Sequence, residues 1–272
     1  GRVNIEDLQW EYLEGDGDFR SKEVTKLRDE ADFIITNPPF SLFREFLAWI
    51  MDANKKFIII GNMNAITYKE AFPLIKDNKM WLGYSIHSGD REFEVPNDYP
   101  LAAAGWRIDE NGRKFIRVKG VRWFTNIDHG RRHQPLALMT MADNLRFSKH
   151  KELKGKTAYD HYDNYDAIEV PYTDAIPSDY DGVMGVPISF LGKYCPEQFE
   201  IVNANDYRKT LDVPVKAHGL IKDKEASITT YKDSECKKKT SGQFGNFQQN
   251  AKRERRTTYA RICIKHIARS RS

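Results

Sequence analysis

The stretch that decides the fold is ADFIITNPPF, residues Ala31–Phe40. Its apolar run, Phe33–Ile35, is continuous, as in strands that are buried on both faces of a sheet. The run ends just before Asn37, and the two prolines that follow have no backbone N–H to donate to a continuing strand. The sequence therefore predicts a buried strand that ends in a stiff Asn-Pro-Pro-Phe loop.

The residues after this loop predict a βαβ unit. Apolar residues recur at helical spacing in Ser41–Met51, and Lys56–Gly61 repeats the pattern of a buried strand. A strand, a loop, a helix and a second strand within about thirty residues indicate a parallel sheet with helices on its faces. Ligands of such sheets bind at the carboxyl ends of the strands, which is where Asn37–Phe40 would lie.

The residue types of the loop suit chemistry at a planar amino group. The lone pair of such a group is delocalised into the ring, and two acceptors aimed at its hydrogens would draw the nitrogen toward tetrahedral geometry. Asn37 offers a side-chain oxygen and Pro38 a carbonyl, while Pro39 stiffens the loop. Phe40 offers a flat face on which an extruded base can stack, worth about 1–3 kcal/mol. A Pro-Pro turn that only ends a strand is the alternative interpretation.

Several segments spread along the chain share one resemblance: Gly15–Ser21, Thr36–Glu45, Ile60–Glu70, Val121–Asn126, Tyr162–Ile168, Asp179–Ile188 and Tyr259–Ile264. Together they resemble the EcoRI-type adenine-specific DNA methyltransferases, and the resemblance covers nearly the whole chain. It implies an α/β fold with a Rossmann-like class I methyltransferase sheet, incomplete at its N-terminal strands, and an irregular target-recognition elaboration.

The resemblance implies transfer of a methyl group from S-adenosyl-L-methionine to N6 of adenine in duplex DNA, directly to a flipped-out base. Asn37, Pro38, Pro39 and Phe40 would form the catalytic loop. The setting would be restriction-modification, or an orphan or phage-borne enzyme, and a cognate restriction endonuclease would share the DNA site without being bound. Two alternatives stay open: an N-methyltransferase acting on RNA or a protein glutamine, and a non-catalytic DNA-binding remnant.

The resemblance also implies cofactor contacts. Asp18 and Phe19 stand where such enzymes contact the adenine of S-adenosyl-L-methionine, the acid accepting from its amino group and the ring stacking, and Asn37 belongs to the same set. An exposed acidic turn is the alternative for Gly15–Asp18. Members of the family carry a stretch ahead of the position of Gly1 that supplies the first strands and most of the cofactor pocket, so we expect this chain to be a fragment.

Positive charge is concentrated in two parts of the chain. Residues 232–272 hold 12 Lys or Arg against 3 acids, whereas the whole chain of 272 residues carries a net charge of +4. Residues 107–133 hold 8 Lys or Arg against 3 acids, with aromatic residues between them. Clustered cations beside an otherwise acidic body predict a polyanion as partner. We expect Arg122, Arg131 and Arg132 to contact duplex DNA.

Pattern and resemblance divide the chain into three parts. Residues 1–127 form a partial catalytic core, residues 128–198 a target-recognition elaboration, and residues 199–272 the returning strands and a basic C-terminal segment. The core includes a predicted hairpin whose turn signal is Asp109–Gly112.

Regularity fades in the later parts of the chain. Residues 133–180 show few long apolar runs, which predicts irregular structure. Phe199–Val202 and Ala260–Ile264 predict strands that return to the sheet of the βαβ unit. Residues 233–256 are polar and Gln-rich, which predicts a mobile segment.

Composition argues against several other classes. No apolar run approaches the length of about 18 residues that a membrane span needs, and the first residues do not resemble a secretion signal, so we expect a cytoplasmic protein. The three cysteines are widely spaced without a Cys-x-x-Cys pair, so neither a disulfide framework nor a metal site is predicted. His129 and His133 have a spacing that suits a metal on a helix, but Gly130 between them favours a solvated or phosphate-facing loop.

Overall fold

The computed structural model describes residues 12–84, 90–101, 105–203, 206, 220–221, 227–230, 254–257 and 260–267. The chain divides into two compact units. The first unit comprises Gly1–Ala71 and Ser85–Ile127, and the second comprises Phe72–Tyr84 and Asp128–Ser272.

The described residues form four α-helices: α1 (Lys22–Glu30), α2 (Phe43–Asp52), α3 (Phe72–Lys76) and α4 (Met141–Phe147). They also form fifteen strands: β1 (Phe33–Thr36), β2 (Lys56–Asn62), β3 (Trp81–Leu82), β4 (Asp90–Val95), β5 (Trp106–Ile108), β6 (Lys114–Lys119), β7 (Val121–Thr125), β8 (His161–Tyr162), β9 (Ala167–Glu169), β10 (Val183–Pro187), β11 (Phe199–Ile201), β12 (Leu220–Ile221), β13 (Ser227–Thr230), β14 (Glu254–Thr257) and β15 (Arg261–His266). Short 3-10 helices cover Phe40–Leu42, Met63–Thr67, Gly130–His133, Thr173–Ala175 and Ile188–Lys193.

The predicted βαβ unit is present in the first unit. Strands β1 and β2 are parallel neighbours, with Thr36 beside Ile59, and α2 connects them. Strand β7 then pairs with β2 in the antiparallel sense, so the prediction of a parallel sheet is wrong beyond the first pair. A parallel strand needs a crossover connection, usually a helix, before it joins the sheet. Strand β7 has none, because it follows β6 after the single residue Gly120.

Helix α2 packs closely on one face of this sheet. Its buried side chains, Phe43, Phe46, Leu47 and Ile50, have the spacing of one helical face. Gly61 of β2 permits the close approach, since a Cβ there would come within 2.5 Å of the Phe43 ring and 2.9 Å of the Phe124 ring. The absence of a side chain at this position therefore sets the distance between α2 and the sheet.

The opposite face of β1 is open among the described residues. Phe33 is 58% exposed and Ile35 is 68% exposed, so the prediction that this strand is buried on both faces is wrong for the described chain. The helix α2 covers only the face that Phe57 and Ile59 of β2 share, and both of these residues are fully buried. A continuous apolar run identified the strand correctly but could not show which of its faces is covered.

The first unit also contains a small antiparallel sheet in the order β4-β6-β5. The predicted turn joins β5 and β6: the Gly112 N–H donates to the Asp109 carbonyl at 3.0 Å, and Gly112 has the positive φ of +76° that glycine adopts readily. The Asp109 carboxylate also accepts from the backbone N–H groups of Asn111 and Arg113. The turn signal in the sequence is therefore confirmed.

The second unit is built on a sheet in the order β11-β15-β10-β9-β8-β13-β14, with β12 beside β15. The predicted strands near Phe199 and Ile262 are present as β11 and β15. The prediction that they return to the sheet of the βαβ unit is wrong, because β15 pairs with β10 and β11 of this second sheet. Strand β10 is an interior strand of this sheet, and its residues Val183–Val186 are all buried.

Two further predictions for the second unit concern an irregular segment and a mobile segment. Residues 133–180 contain α4, β8 and β9, so they are more regular than their sequence pattern predicts. The segment predicted to be mobile lies outside the described residues, except that Glu254–Thr257 forms β14. No helix of the described chain is both long and apolar enough to span a bilayer.

A buried ion pair joins two strands of the second sheet. Arg261 of β15 donates to Glu169 of β9 from Nη2 at 2.7 Å and from Nε at 2.9 Å, and the Tyr162 hydroxyl donates to the same carboxylate. Glu169 is almost wholly buried, so its charge needs all of these donors. The network fixes strands that lie on both sides of β10.

We expect Gly61→Ala to lower the free energy of unfolding by about 1–3 kcal/mol, because the added methyl group must push the Phe43 and Phe124 rings apart. The measurement is the midpoint of urea unfolding. Gly130→Ala is the matched control, since a Cβ there meets nothing within 4 Å. Equal midpoints for the two variants would show that α2 does not rest on Gly61.

Candidate functional site

The candidate site is the loop at the carboxyl end of β1. Asn37 is exposed, Pro38 is buried, and Phe40 is 39% exposed. Pro39 has a φ of −55°, as its ring requires, and its carbonyl accepts from the Leu42 N–H at 2.9 Å. This bond closes the 3-10 turn that leads directly into α2.

The turn leaves two acceptors of the loop uncommitted. Within the described part of the chain, neither the Asn37 side chain nor the Pro38 carbonyl has a hydrogen-bond partner. The Phe40 ring packs on no other aromatic ring of the described residues. The loop therefore presents two oxygen acceptors and an aromatic face, held by a short rigid turn.

Residues that the sequence analysis did not single out hold the beginning of α2. The Arg44 guanidinium lies over the Tyr68 ring at 4.3 Å and pairs with Glu70 at 3.9 Å. Since Tyr68 follows β2 and Arg44 follows the loop after β1, this contact joins the chain segments at the carboxyl ends of two parallel strands. Both residues lie in segments of family resemblance, which was the available signal for them.

Asp18, one of the expected cofactor residues, is paired inside the protein. Arg20 donates to its carboxylate from Nη2 at 2.6 Å and from Nε at 3.0 Å, and the Arg20 N–H donates at 2.8 Å. The side-chain hydrogen bond from Arg20 is the main cause that lowers the pKa of Asp18 to about 2. Arg20 also reaches Glu45 of α2 at 3.2 Å, so the ionised carboxylate is tied to that helix.

Phe19, the second expected cofactor residue, is buried against α2. Its ring centroid lies 5.1 Å from Phe46 and 5.5 Å from Trp49, and 8% of the residue is exposed. Arg28 of α1 stacks on Trp49 and donates to its carbonyl at 2.8 Å, which closes the cluster. The ring therefore anchors the segment before α1, and its stacking on a cofactor stays a prediction.

The donor and acceptor chemistry of this segment fits S-adenosyl-L-methionine in part. An ionised carboxylate can accept from an amino or hydroxyl group, and Asp18 keeps acceptor capacity beyond the bonds from Arg20. Phe19 offers a cofactor only the small part of its ring that α2 leaves uncovered. Asp18 is thus the described residue best suited to hold the cofactor, with Phe19 keeping it in place.

The three arginines expected at DNA differ in their surroundings. Arg122 in β7 is half-buried, donates to the Val121 carbonyl at 2.9 Å, and has its pKa lowered by burial. Arg132 lies over the Trp81 ring at 3.9 Å and is nine-tenths buried. Arg131 is exposed and lies over a different ring, that of Tyr84, at 4.7 Å.

The paired histidines do not share a ligand. His129 Nε2 lies 3.3 Å from the Leu82 carbonyl, whereas His133 is held between Glu197 at 2.6 Å and Asp128 at 2.9 Å. The hydrogen bond to Glu197, followed by that to Asp128, raises the pKa of His133. No group of three or more His, Cys, Asp or Glu that could hold a metal ion occurs in the part of the chain that the structure describes.

Fold and site together define an α/β protein with an Asn-Pro-Pro-Phe loop at the carboxyl end of a parallel strand. The family described as adenine-specific methyltransferase EcoRI matches residues 1–267. The chain belongs to this family. No solved structure matches the chain.

Individual relatives agree with this membership. The chain is 46% identical over 211 residues to the type II methyltransferase M.EcoRI of Escherichia coli, which covers 78% of this chain and 61% of that protein. It is 38% identical over 214 residues to a type II methyltransferase of Mycoplasma genitalium, covering 77% and 63%. It is 32% identical over 224 residues to M.MpnI of Mycoplasma pneumoniae, covering 81% and 66%. The chain thus spans less than two thirds of the length of these relatives.

We expect Arg20→Gln to raise the pKa of Asp18 from about 2 toward its ordinary value of 3.8, because the main cause of the shift is removed. Since the pKa is lowered in the folded protein, the ion pair is complete above pH 3.8 and is lost as the pH falls through about 2. Carboxylate chemical shifts followed through an acid titration measure this. Lys26→Gln, which removes an exposed lysine of α1, should leave the Asp18 titration unchanged, and a pKa near 2 in both variants would contradict the assignment.

Proposed function

We propose that this protein methylates N6 of adenine in duplex DNA with S-adenosyl-L-methionine as methyl donor. The observation that carries the proposal is the loop at the end of β1, where Asn37 and Pro38 offer uncommitted acceptors beside the exposed ring of Phe40. Membership of an adenine-specific methyltransferase family and the likeness to type II methyltransferases support the choice of base and of DNA.

The two acceptors act on the hydrogens of the amino group. The Asn37 side-chain oxygen accepts one N–H and the Pro38 carbonyl accepts the other, so the nitrogen lone pair turns out of the plane of the base toward the methyl donor. Neither acceptor needs to act as a strong base while the nitrogen attacks, since the proton can leave after transfer. The rigid turn at Pro39 holds both oxygens before the base arrives, which reduces the ordering that the reaction requires.

Phe40 holds the base in reach of these acceptors. A base inside a duplex cannot present its amino group to the loop, so it must be flipped out at a cost of a few kcal/mol. Stacking on the exposed ring returns about 1–3 kcal/mol of this cost. Because the ring has no other aromatic partner among the described residues, its face is available to a base.

Asp18 binds the cofactor through its ionised carboxylate, and Phe19 and Arg20 hold that carboxylate against α2. S-adenosyl-L-methionine, when bound, supplies the methyl group. Asn37 serves both base and cofactor in this proposal. The Phe19 anchor and the catalytic loop both rest on α2, so a shift of this helix would displace both sites together.

The wider biology follows from the same proposal. The protein acts in a restriction-modification system, or as an orphan or phage-borne enzyme, in the cytoplasm. In the restriction-modification setting, a cognate endonuclease would share its DNA site without being bound. Residues 1–127 form the catalytic part, residues 128–198 recognise the target, and residues 199–272 add strands and basic charge. Arg122, Arg131 and Arg132 contact DNA.

We expect Asn37→Ala to lower methyl transfer by about 10²–10³-fold, the range for loss of one preorganised polar contact. DNA affinity should change by no more than a few-fold, because Asn37 acts on the reacting nitrogen and not on phosphates. The measurement is transfer of labelled methyl groups by the intact enzyme, beside binding to labelled duplex, with Asn97→Ala as an exposed control. Near-normal turnover of the Asn37 variant would refute its role. Methylation of RNA or of a glutamine peptide in preference to duplex DNA would refute the substrate.

Phe40 gives a second test of the same loop. Phe40→Leu should weaken transfer strongly, whereas Phe40→Tyr and Phe40→Trp should preserve much of it, because the proposed role is stacking and each aromatic ring has a π-face. A fluorescent base analogue at the target adenine reports flipping independently of transfer. Equal activity and equal flipping for the Leu and Tyr variants would eliminate the stacking role.

A further inference from the structure

A small basic hollow lies in the second unit, whereas the proposed catalytic loop belongs to the first. It is lined by three cationic side chains and by aromatic or histidine rings, among them Arg131, Arg132, Lys193, Trp81, Tyr84 and His129. The empty space, counted to its open mouth, is about 330 Å³. The enclosed part of this space is only about 20 Å³, far below the volume of a pocket for an extended ligand, so the hollow suits one small group such as an oxygen of an anion at its mouth.

Arg132 forms the fixed part of the hollow. Its guanidinium lies on Trp81 at 3.9 Å, donates to Asn78 Oδ1 at 2.5 Å, and lies 3.7 Å from Asp128. The side chain is nine-tenths buried, yet its Nε is a buried donor without a partner. A buried donor of this kind requires explanation, and an acceptor bound in the hollow would satisfy it.

Two cations at the hollow are free to bind such an acceptor. Arg131 and Lys193 are exposed, and neither forms an ion pair with a carboxylate of the described residues. The nearby carboxylate of Asp128 is shared by Arg132 and His133. The ring of Tyr84 supports the Arg131 guanidinium from one face, which orders the group and leaves its N–H donors at the edge.

We propose that this hollow binds one phosphate of the DNA backbone through Arg131 and Lys193 at its mouth, with the buried Nε of Arg132 donating to the same phosphate. The inference rests on the proposed function, since that supplies duplex DNA as the polyanion. It adds Lys193, which lies far from the basic clusters of the sequence, and it combines a buried arginine with an exposed one. A phosphate contact of this kind carries no base readout, so it fixes the position of the protein on any duplex.

The test is equilibrium binding of the full chain to fluorescently labelled duplexes in a salt series, without cofactor. Two duplexes of unrelated sequence are used. Arg131→Ala combined with Lys193→Ala should weaken binding to both by the same factor. The slope of log affinity against log salt should fall by about 0.9, the value for one lost phosphate contact. Both side chains are exposed, so thermal unfolding should be unchanged and confirms that the variant folds.

Arg146→Ala combined with Lys149→Ala is the matched control. Both residues are exposed in the same unit, and Arg146 lies on an aromatic ring, Phe147, at 5.0 Å, so the charge and the cation-π contact removed are alike. This control should keep the wild-type slope. An equal loss in the control would show that only net charge matters, and a loss confined to one duplex would show base readout. Either result, or an unchanged slope in the test variant, overturns the proposal.

A second arm distinguishes DNA phosphate from free phosphate. Inorganic phosphate is titrated into the wild type and into the test variant by calorimetry at constant ionic strength. Binding that the variant loses, while its duplex affinity stays normal, would assign the hollow to free phosphate and overturn the proposal. Methyl transfer is not a readout in either arm. A protein that binds duplex with the expected slopes but transfers no methyl group would therefore refute the proposed function and leave the phosphate site standing.

Discussion

The close packing of α2 on the sheet, through Phe43 against Gly61 and Phe124, is the constraint on which the candidate site depends. Helix α2 begins directly after the 3-10 turn of the proposed catalytic loop, so the position of the helix sets the position of that loop. The approach is possible only because Gly61 has no side chain to separate the helix from β2. A single residue in a strand thus controls the geometry of a loop that follows a different strand.

How far the fold could be predicted depends on the sequence separation of the contacts involved. The βαβ unit and the turn at Asp109–Gly112 were predicted because short-range patterns and turn residues determine them. The sheet that receives β15 could not be predicted, since its pairing with β10 joins residues far apart in sequence. The apolar run Val183–Val186 was the available signal for an interior strand, but an apolar run does not indicate which strands pair with it.

The candidate site likewise has a part that the sequence could predict and a part that it could not. The roles proposed for the Asn37–Phe40 loop could be predicted from the sequence because they rest on residue type and local stiffness, and they stay predictions. The roles of Arg131 and Arg132 could not, because they depend on Tyr84 and Trp81, which lie about fifty residues earlier and decide which guanidinium is buried. Adjacent arginines in a charge cluster therefore have different surroundings, which composition alone cannot separate.

Helix α2 also explains how the segment with the proposed cofactor residue Asp18 and the proposed catalytic loop can both be held in place. The Phe19 ring packs on Phe46 and Trp49, and Arg20 reaches Glu45, so the segment that carries Asp18 is attached to the helix by apolar and charged contacts. The catalytic loop is continuous with the same helix. A site whose parts rest on one packed helix holds its geometry better than one assembled from independent loops. The exposed ion pair contributes little stability by itself, so the buried aromatic cluster is what holds the segment that carries Asp18 on α2.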